Sequence, residues 1–326
     1  PEPTPEYFTL SFIGDCTLAP HQNTQDYYNK VGDDYAYPFA NTVQYFADDE
    51  YTFANLECTF SDRSLSPVGY PTFYFRAPTS YVNILLEGGV DFVTTANNHL
   101  NDFGDKGVED TYATLDNAGL PYGKVGQAQV VTTKNGIKIG VYCGFNINDG
   151  YFVPTTDECV NAINQMKADG AEYIVMAFHW GKELYYKPTQ KMIDLAQACI
   201  DAGANLIYGT HPHVLGPIVE YNGGIIMYSV GNWSFGGNTQ PTDQDTAIIQ
   251  VTIKRDVDGS ITTEGYDAIP CCVSSNMSGG VGYNDYKPTP YPEDNEGYKR
   301  VLSKLDMNSG WENANKDYSA WYSAWG

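Results

Sequence analysis

Basic residues are scarce in this chain of 326 residues: 18 Lys+Arg stand against 40 Asp+Glu, a net charge of −22 with histidine neutral. Only Arg63, Arg76, Arg255 and Arg300 are arginines. No nucleic-acid partner is expected, because phosphate backbones are held by clustered Lys and Arg. An anionic membrane surface is an equally poor partner. Long apolar runs are missing too. The longest, such as Tyr173–Phe178, fall well short of the roughly 20 residues that cross a bilayer, so no transmembrane segment is expected in this chain. The seven cysteines contain no CxxC pair, which removes zinc-ribbon and thioredoxin-like readings. Gly279-Gly280 lacks the lysine-ended surroundings of a phosphate loop. No repeat of fixed period is visible.

With 42% hydrophobic and 14% aromatic residues, the chain is nevertheless no disordered acidic tail. It is globular, with one large domain or two small ones. It opens Pro1-Glu2-Pro3-Thr4-Pro5-Glu6, with no basic or apolar leader. A Pro/Glu stretch is a stiff, solvated spacer. Residues 1–6 therefore read as a linker left after removal of a targeting segment, on an extracellular protein anchored at the cell surface. The alternative is an arbitrary chain boundary.

Apolar runs rich in Val, Ile, Phe and Tyr predict strands at Tyr7–Gly14, Tyr51–Leu56, Val90–Thr95, Ile137–Cys143, Glu172–Phe178 and Asn205–Tyr208. Helical patterns lie between them. Thr79 or Ser80 caps a segment ending at Gly88-Gly89, and Asp105–Ala118 is closed by Gly119. Thr155-x-x-Glu158 is a capping box. Pro188 opens a further helix that stops at Gly203. Over Gly216–Ala268 the pattern becomes antiparallel hairpins, with turns at Asn222-Gly223 and Asp258-Gly259. Strand–helix alternation with a strand-rich end predicts an α/β sandwich. The domain is expected over 7–270, and 271–326 as an irregular tail packed on it with short helices. One helix is expected near Glu293–Leu305. Trp311, Tyr318, Trp321, Tyr322 and Trp325 recur at helical spacing as a docking face.

Polar motifs cluster where these strands end. They are Gly14-Asp15, Asn55-Leu56-Glu57, Asn97-Asn98-His99, His179-Trp180-Gly181, Gly209-Thr210-His211-Pro212-His213 and Gly231-Asn232-Trp233. In α/β sheets ligands collect outside the carboxyl ends of the strands, so the motifs converge. Carboxylate, imidazole and amide oxygen are ligands of divalent cations, without any need for thiolate. His211 and His213 can face one point only across a turn, and Pro212 is placed to make one.

The order Asp, Glu, Asn-His, His, His-x-His resembles the calcineurin-like metallophosphoesterase superfamily. Within it, the sequence is most similar to CapA-type proteins of poly-γ-glutamate capsule synthesis. The resemblance covers roughly Phe8 to Ile253 and implies a four-layer αββα sandwich. It implies one or two divalent ions, Mn, Fe or Zn. Asp15 and His213 would hold one ion, Asn98, His179 and His211 the other, and Glu57 would bridge them. His99 would sit beside the substrate as general acid or oxyanion stabiliser, oriented by Asp102. Two departures stand out. The superfamily's Asp-x-His is Asp15-Cys16-Thr17 here, which removes an imidazole, and the usual bridging Asp is Glu57.

Two functions follow from the resemblance. One is a metal-dependent phosphoester hydrolase, with an anionic polymer or phosphoester as substrate and membrane-bound capsule-synthesis proteins as partners. The other is a non-hydrolytic module that handles or anchors the polymer at a degenerate metal site. The resemblance also sets Cys16 and Cys58 on neighbouring strands, where they are either disulfide-bonded, with the oxidising compartment that implies, or free. Cys143, Cys159 and Cys199 read as buried thiols. His21, Arg63, Arg76, Lys182 and Lys187 lie near the motif loops, with surface positions as their default. Glu183 is either close to the metal or merely structural. At −22 the surface repels polyanions, but divalent ions at one sheet edge would reverse the sign inside the cleft.

Overall fold

The computed structural model describes residues 4–21, 24–69, 73–147, 154–277 and 284–310. In chain order its strands begin β1 (Glu6–Thr17), β2 (Tyr51–Leu56), β3 (Thr59–Phe60), β4 (Arg76–Ala77), β5 (Phe92–Thr94), β6 (Tyr122–Gly123), β7 (Ala128–Thr132) and β8 (Lys138–Ile147). They continue as β9 (Tyr173–Gly181), β10 (Leu206–Thr210), β11 (Ile218–Tyr221), β12 (Gly224–Met227), β13 (Asn232–Phe235), β14 (Asp245–Arg255), β15 (Ile261–Cys272) and β16 (Thr289–Pro290). The helices are α1 (Asp26–Val31), α2 (Val82–Glu87), α3 (Gly104–Ala118), α4 (Thr156–Ala168), α5 (Gln190–Asp201) and α6 (Glu296–Leu305).

Two sheets carry the fold. The larger runs β16-β15-β14-β1-β2-β5-β6, with β13 added alongside β1; the smaller runs β11-β12-β10-β9-β8-β7. They face each other across a shared core that includes Leu10, Phe12, Phe53 and Phe92 from one side and Val141, Val175, Leu206 and Met227 from the other. Helices close both outer faces. α2 and α3 cover the larger sheet through Ile84, Leu85 and Leu115. α4 and α5 cover the smaller through Ile163, Met166, Leu195 and Cys199. This is the αββα layering expected from the sequence.

β9 shows why the central strands read as unbroken apolar runs. Tyr173, Val175 and Ala177 enter the core between the sheets. Ile174, Met176, Phe178 and Trp180 enter the core under α4 and α5. Side chains alternate along a strand, and here both faces are covered, so every position from Tyr173 to Phe178 is apolar. Each fully buried side chain of this kind contributes about 1.5–3 kcal/mol.

Element ends follow the local signals. Thr155 and Glu158 form the capping box of α4 reciprocally, at 3.2 and 2.7 Å. Thr189, not Pro188, caps α5 by accepting from Met192 N. Gly119 ends α3 in the left-handed region. The Asn222-Gly223 turn joins β11 to β12, with φ of 45° and 81°. Within the expected hairpin region β12 ends at Met227, and Asn232–Phe235 is an additional strand, parallel to β1. At the N-terminal end Glu6 already belongs to β1, paired with Arg255. The position 270/271 falls inside β15.

Cys16 and Cys58 are free buried thiols, not a disulfide. The register explains it: β1 and β2 are indeed neighbours, but Cys16 lies opposite Leu56, so Cys58 is already beyond the pairing. Cys143, Cys159 and Cys199 are buried as expected. The aromatic face over 311–326 lies outside the described residues.

α6 is tied down by charge. Its Lys304 ammonium lies 2.7 Å from Asp243 and 2.6 Å from Asp245. Arg300 grips both oxygens of Asp245 at 2.6 Å. The Tyr186 hydroxyl, on the loop that leaves β9, donates to Asp243 at 2.5 Å. The network therefore links α6, the start of β14 and a loop at the motif edge.

Candidate metal centre

β1, β2 and β5 run parallel in one sheet, and β9 and β10 run parallel in the other. Their carboxyl ends meet at one edge between the sheets, where the polar motifs arrive. Asp15 sits near the end of β1, where Asp15 N donates to Gly231 O at 3.0 Å. The preceding Gly14 allows this approach: a Cβ there would lie 2.1 Å from Gly231 O. Glu57 is the first residue after β2, and Asn98 and His99 follow β5. His179 lies within β9 near its end. His211 and His213 flank Pro212 just beyond β10, with φ of 95° and 57°. Both histidines are therefore in the left-handed region, which non-glycine residues adopt at a cost. That backbone, together with Pro212, turns the two rings to the same side.

The side chains form a compact buried cluster. Asp15, Glu57 and His213 offer ligand atoms within 4.8 Å of one another, and so do Glu57, His179 and His211. Glu57 belongs to both sets. His179 Nε2 lies 2.9 Å from Asn98 Oδ1, 3.2 Å from His211 Nδ1 and 3.3 Å from Glu57 Oε1. His213 Nδ1 lies 3.2 Å from Asp15 Oδ2. A third set joins Glu183 to His211 and His213.

Surrounding groups hold this arrangement. The Asn55 amide donates to Asp15 Oδ1 at 2.8 Å, while its oxygen accepts from Thr94 Oγ1 at 2.8 Å and Asn97 Nδ2 at 3.1 Å. Thr210 Oγ1 meets His179 Nδ1 at 2.9 Å, which leaves Nε2 facing the cluster. Asn232 Oδ1 does the same for His213 through Nδ1 at 2.8 Å. Partners of this kind orient metal-binding imidazoles. The sequence motifs contained Asn55, Thr210 and Asn232, but spacing alone assigned them no role.

Burial sets the protonation pattern. It pushes the His179 imidazole down to about 3. It also holds His211 well below its ordinary value, helped by the neighbouring histidines. Both are thus neutral, the form that ligates metals. Burial opposes protonation of His213 as well, but the Glu57 and Asp15 carboxylates outweigh it and bring the ring up to about 10. Burial, then the Asp15 charge, raises Glu57 to about 8.

The donor set fits a divalent cation. Both carboxylate oxygens of Glu57 and Nε2 of His211 are buried without a hydrogen-bond partner. Such groups cost free energy unless something satisfies them, and a cation between the two sets would satisfy all three. Oxygen and imidazole donors suit Mn, Fe or Zn.

The remaining expected residues fall around this cluster. His99 Nδ1 lies 2.9 Å from Asp102 Oδ2, and the His99 ring packs edge-on to Phe75 at 4.6 Å. Asp102 also accepts from Phe75 N at 2.7 Å, which fixes the pair. Thr17 Oγ1 donates to Glu57 O at 3.1 Å, so this position offers the cluster backbone support rather than a ligand. His21 packs against Phe73 at 4.9 Å and joins none of the three sets. Arg63 pairs with Asp110, Arg76 lies over Phe103, and Lys182 lies over Tyr185. Trp180 and Trp233 are core side chains, whereas Phe235 contacts the His213 ring at 4.9 Å.

Fold and cluster together define an α/β sandwich with a candidate divalent-metal centre at the carboxyl edge of its two sheets. Residues 9–236, which span all six motifs, match the model of the bacterial capsule synthesis protein family PGA_cap. The chain belongs to that family. It is 28% identical over 271 residues to the capsule biosynthesis protein CapA of Bacillus anthracis, covering 76% of this chain and 64% of that one. It is 25% identical over 333 residues to the PGA biosynthesis protein CapA of Bacillus subtilis, covering 94% of this chain and 80% of that one. The chain thus spans less than two thirds of the first relative's length. Among solved structures, the calcineurin-like phosphoesterase YfkN of Bacillus subtilis is similar over 86% of this chain and 95% of its own, at 16% identity and a TM-score of 0.49.

Proposed function

We propose that this chain is a capsule or poly-γ-glutamate synthesis accessory protein whose centre hydrolyses a phosphoester with the help of one or two divalent ions. The observation that carries this reading is Glu57: a buried carboxylate with neither oxygen hydrogen-bonded, shared by two sets of ligand atoms. Asp15 and His213 would hold one ion with Glu57, and Asn98, His179 and His211 the other. A divalent ion supplies Lewis acidity to a phosphoryl oxygen and lowers the pKa of water. The protein's own part is orientation and proton transfer. Asn55, Thr210 and Asn232 fix the ligands. Asp102 holds His99 Nδ1, which leaves Nε2 to hand a proton to a leaving oxygen, a role worth about 10²–10⁴-fold. The packed edge of Phe75 against His99 limits water there.

A second reading is a polymer-handling module that keeps the ion as a docking point. It is favoured by Thr17, whose hydroxyl is spent on a backbone carbonyl, so that the set around Asp15 has only three donors. Both readings take an anionic polymer or phosphoester and capsule-synthesis proteins as partners, with the chain outside the cell and anchored at its surface. Among the described residues no helix is long and apolar enough to cross a membrane.

Metal content, turnover of a generic phosphodiester, and retention on polyglutamate decide between them. Hydrolysis that requires Mn²⁺ and is lost in His213→Ala supports the enzyme. Polyglutamate retained without turnover supports the module. Protein that stays metal-free in saturating Mn²⁺ refutes both.

A further inference from the structure

The set formed by Glu183, His211 and His213 adds a carboxylate that the two Glu57-centred sets do not use. It reaches the cluster from the loop that follows β9 in the smaller sheet. The chain leaves β9 through Gly181, at φ 86°, where a Cβ would meet Met192 Sδ at 3.0 Å. Leu184, at φ 61°, donates its N–H to Pro212 O at 2.8 Å. Glu183 is therefore strapped to the turn that carries both histidines. Three residues on, Tyr186 anchors the loop to buried Asp243. A carboxylate held at both ends in this way is preorganised, which lowers the entropy cost of using it as a ligand.

Coordination number indicates what it does. Divalent ions of this class take four or more ligands. With Asn98, the set of Glu57, His179 and His211 has four protein donors. The set of Asp15, Glu57 and His213 has three. Glu183 comes within 4.8 Å of a nitrogen of His213 and of His211, whose Nε2 is buried and has no hydrogen-bond partner. Unlike Asp15 and Glu57, Glu183 is half-exposed, so it stands on the solvent side of the cluster.

We propose that Glu183 is a metal ligand that completes the ion held by His213, an inference that rests on the metal-centre reading above. With Glu183 this ion gains an oxygen donor beside His213, and oxygen donors suit Mn²⁺ more than zinc. The ion bound with His179 and His211 has more nitrogen. The two positions therefore differ in affinity and in metal preference.

The test is Mn²⁺ binding to the metal-free full chain, followed by equilibrium dialysis and electron paramagnetic resonance. Wild type is expected to bind two ions with an exchange-coupled signal. Glu183→Gln is expected to keep one and weaken the other by about 10–100-fold, leaving an isolated-Mn²⁺ spectrum. Glu183→Asp is expected to fall between, and Glu220→Gln, an exposed control on β11, to match wild type. Melting of the metal-free variants should equal that of metal-free wild type. Unchanged stoichiometry and affinity in Glu183→Gln overturns the inference and leaves the metal centre standing. Equal weakening of both ions, or a lowered metal-free melting temperature, overturns direct ligation. Wild type that binds no Mn²⁺ overturns both the inference and the reading beneath it.

Discussion

Replacing Lys304 by Met removes one cation from a nearly dry network. Lys304 is 3% exposed, Asp243 9% and Asp245 2%. In the wild type, two cations face two carboxylates. Without Lys304, Arg300 still neutralises Asp245 through its paired contacts. Asp243 keeps hydrogen bonds from the Tyr186 hydroxyl and Asp245 N, but no cation. Breaking a buried pair by removing one partner costs about 3–5 kcal/mol, a large part of the roughly 5–15 kcal/mol of a folded domain. Urea unfolding followed by tryptophan fluorescence should show a midpoint lower by roughly 1–2 M for a slope of about 2–3 kcal/mol/M. The effect is pH-dependent. In the wild type burial raises Asp243, but the Lys304 charge and the hydrogen bonds from Lys304 and Tyr186 outweigh it and hold the carboxyl below its ordinary 3.8. A depressed carboxyl stabilises above its unfolded pKa, and that contribution disappears only as pH falls through the folded value. In the variant only the hydrogen bonds from Tyr186 and Asp245 N oppose burial, so protonation relieves the penalty at higher pH. The difference between the proteins should be largest near neutrality and shrink as the solution is acidified. Adding Asp243→Asn should recover much of the loss. A cost under about 1 kcal/mol at neutral pH, or a cost that ignores both acid and the second substitution, would refute the reasoning.

Glu57→Gln should raise the melting temperature of the metal-free protein at neutral pH, because it removes a carboxyl whose ionisation burial and the Asp15 charge oppose; a gain of about 1–3 kcal/mol is expected. The same variant should lose the stabilisation that Mn²⁺ confers on wild type, about 2.7 kcal/mol at 100 times its Kd, and melting with and without metal reads both effects. His99→Gln should lower phosphodiester turnover by about 10²–10⁴-fold at unchanged metal content. Asp102→Asn should lower it less while shifting the pH profile, since it disturbs the orientation of His99 rather than removing it; steady-state rates across pH with parallel metal analysis check both variants.

Much of the candidate site was legible because its residues are tethered to strand ends. A strand is a run of a few apolar residues, and the polar motif that stops it must lie at the sheet edge. The motifs with Asp15, Glu57, Asn98, His179 and the His211–His213 turn could thus be gathered at one edge, and the family resemblance marked those residues as ligands. Glu183 was ambiguous, because a carboxylate two residues past a strand is equally a surface charge. Only the Leu184–Pro212 strap and the two left-handed residues of the loop direct it inward. β13 was missed because its four residues give no periodicity, and pairing with β1 alone makes it a strand. Lys304 and Asp243, 61 residues apart, carry no local sign of their pairing.

The sequence by itself determined the alternation of strands and helices and the chemistry of the edge, since apolar alternation, caps and turn residues act over neighbouring positions, and the resemblance implied the four layers. The sequence also determined the acidic surface. The tertiary structure decided what depends on distance across the chain. Register left Cys16 opposite Leu56 and both thiols free. Packing of the two sheets brought Glu57 between two ligand sets and stripped it of hydrogen bonds. Burial kept His179 and His211 neutral, while it raised Glu57 and the nearby carboxylates raised His213. These outcomes follow from desolvation and long-range register, which no window of sequence contains.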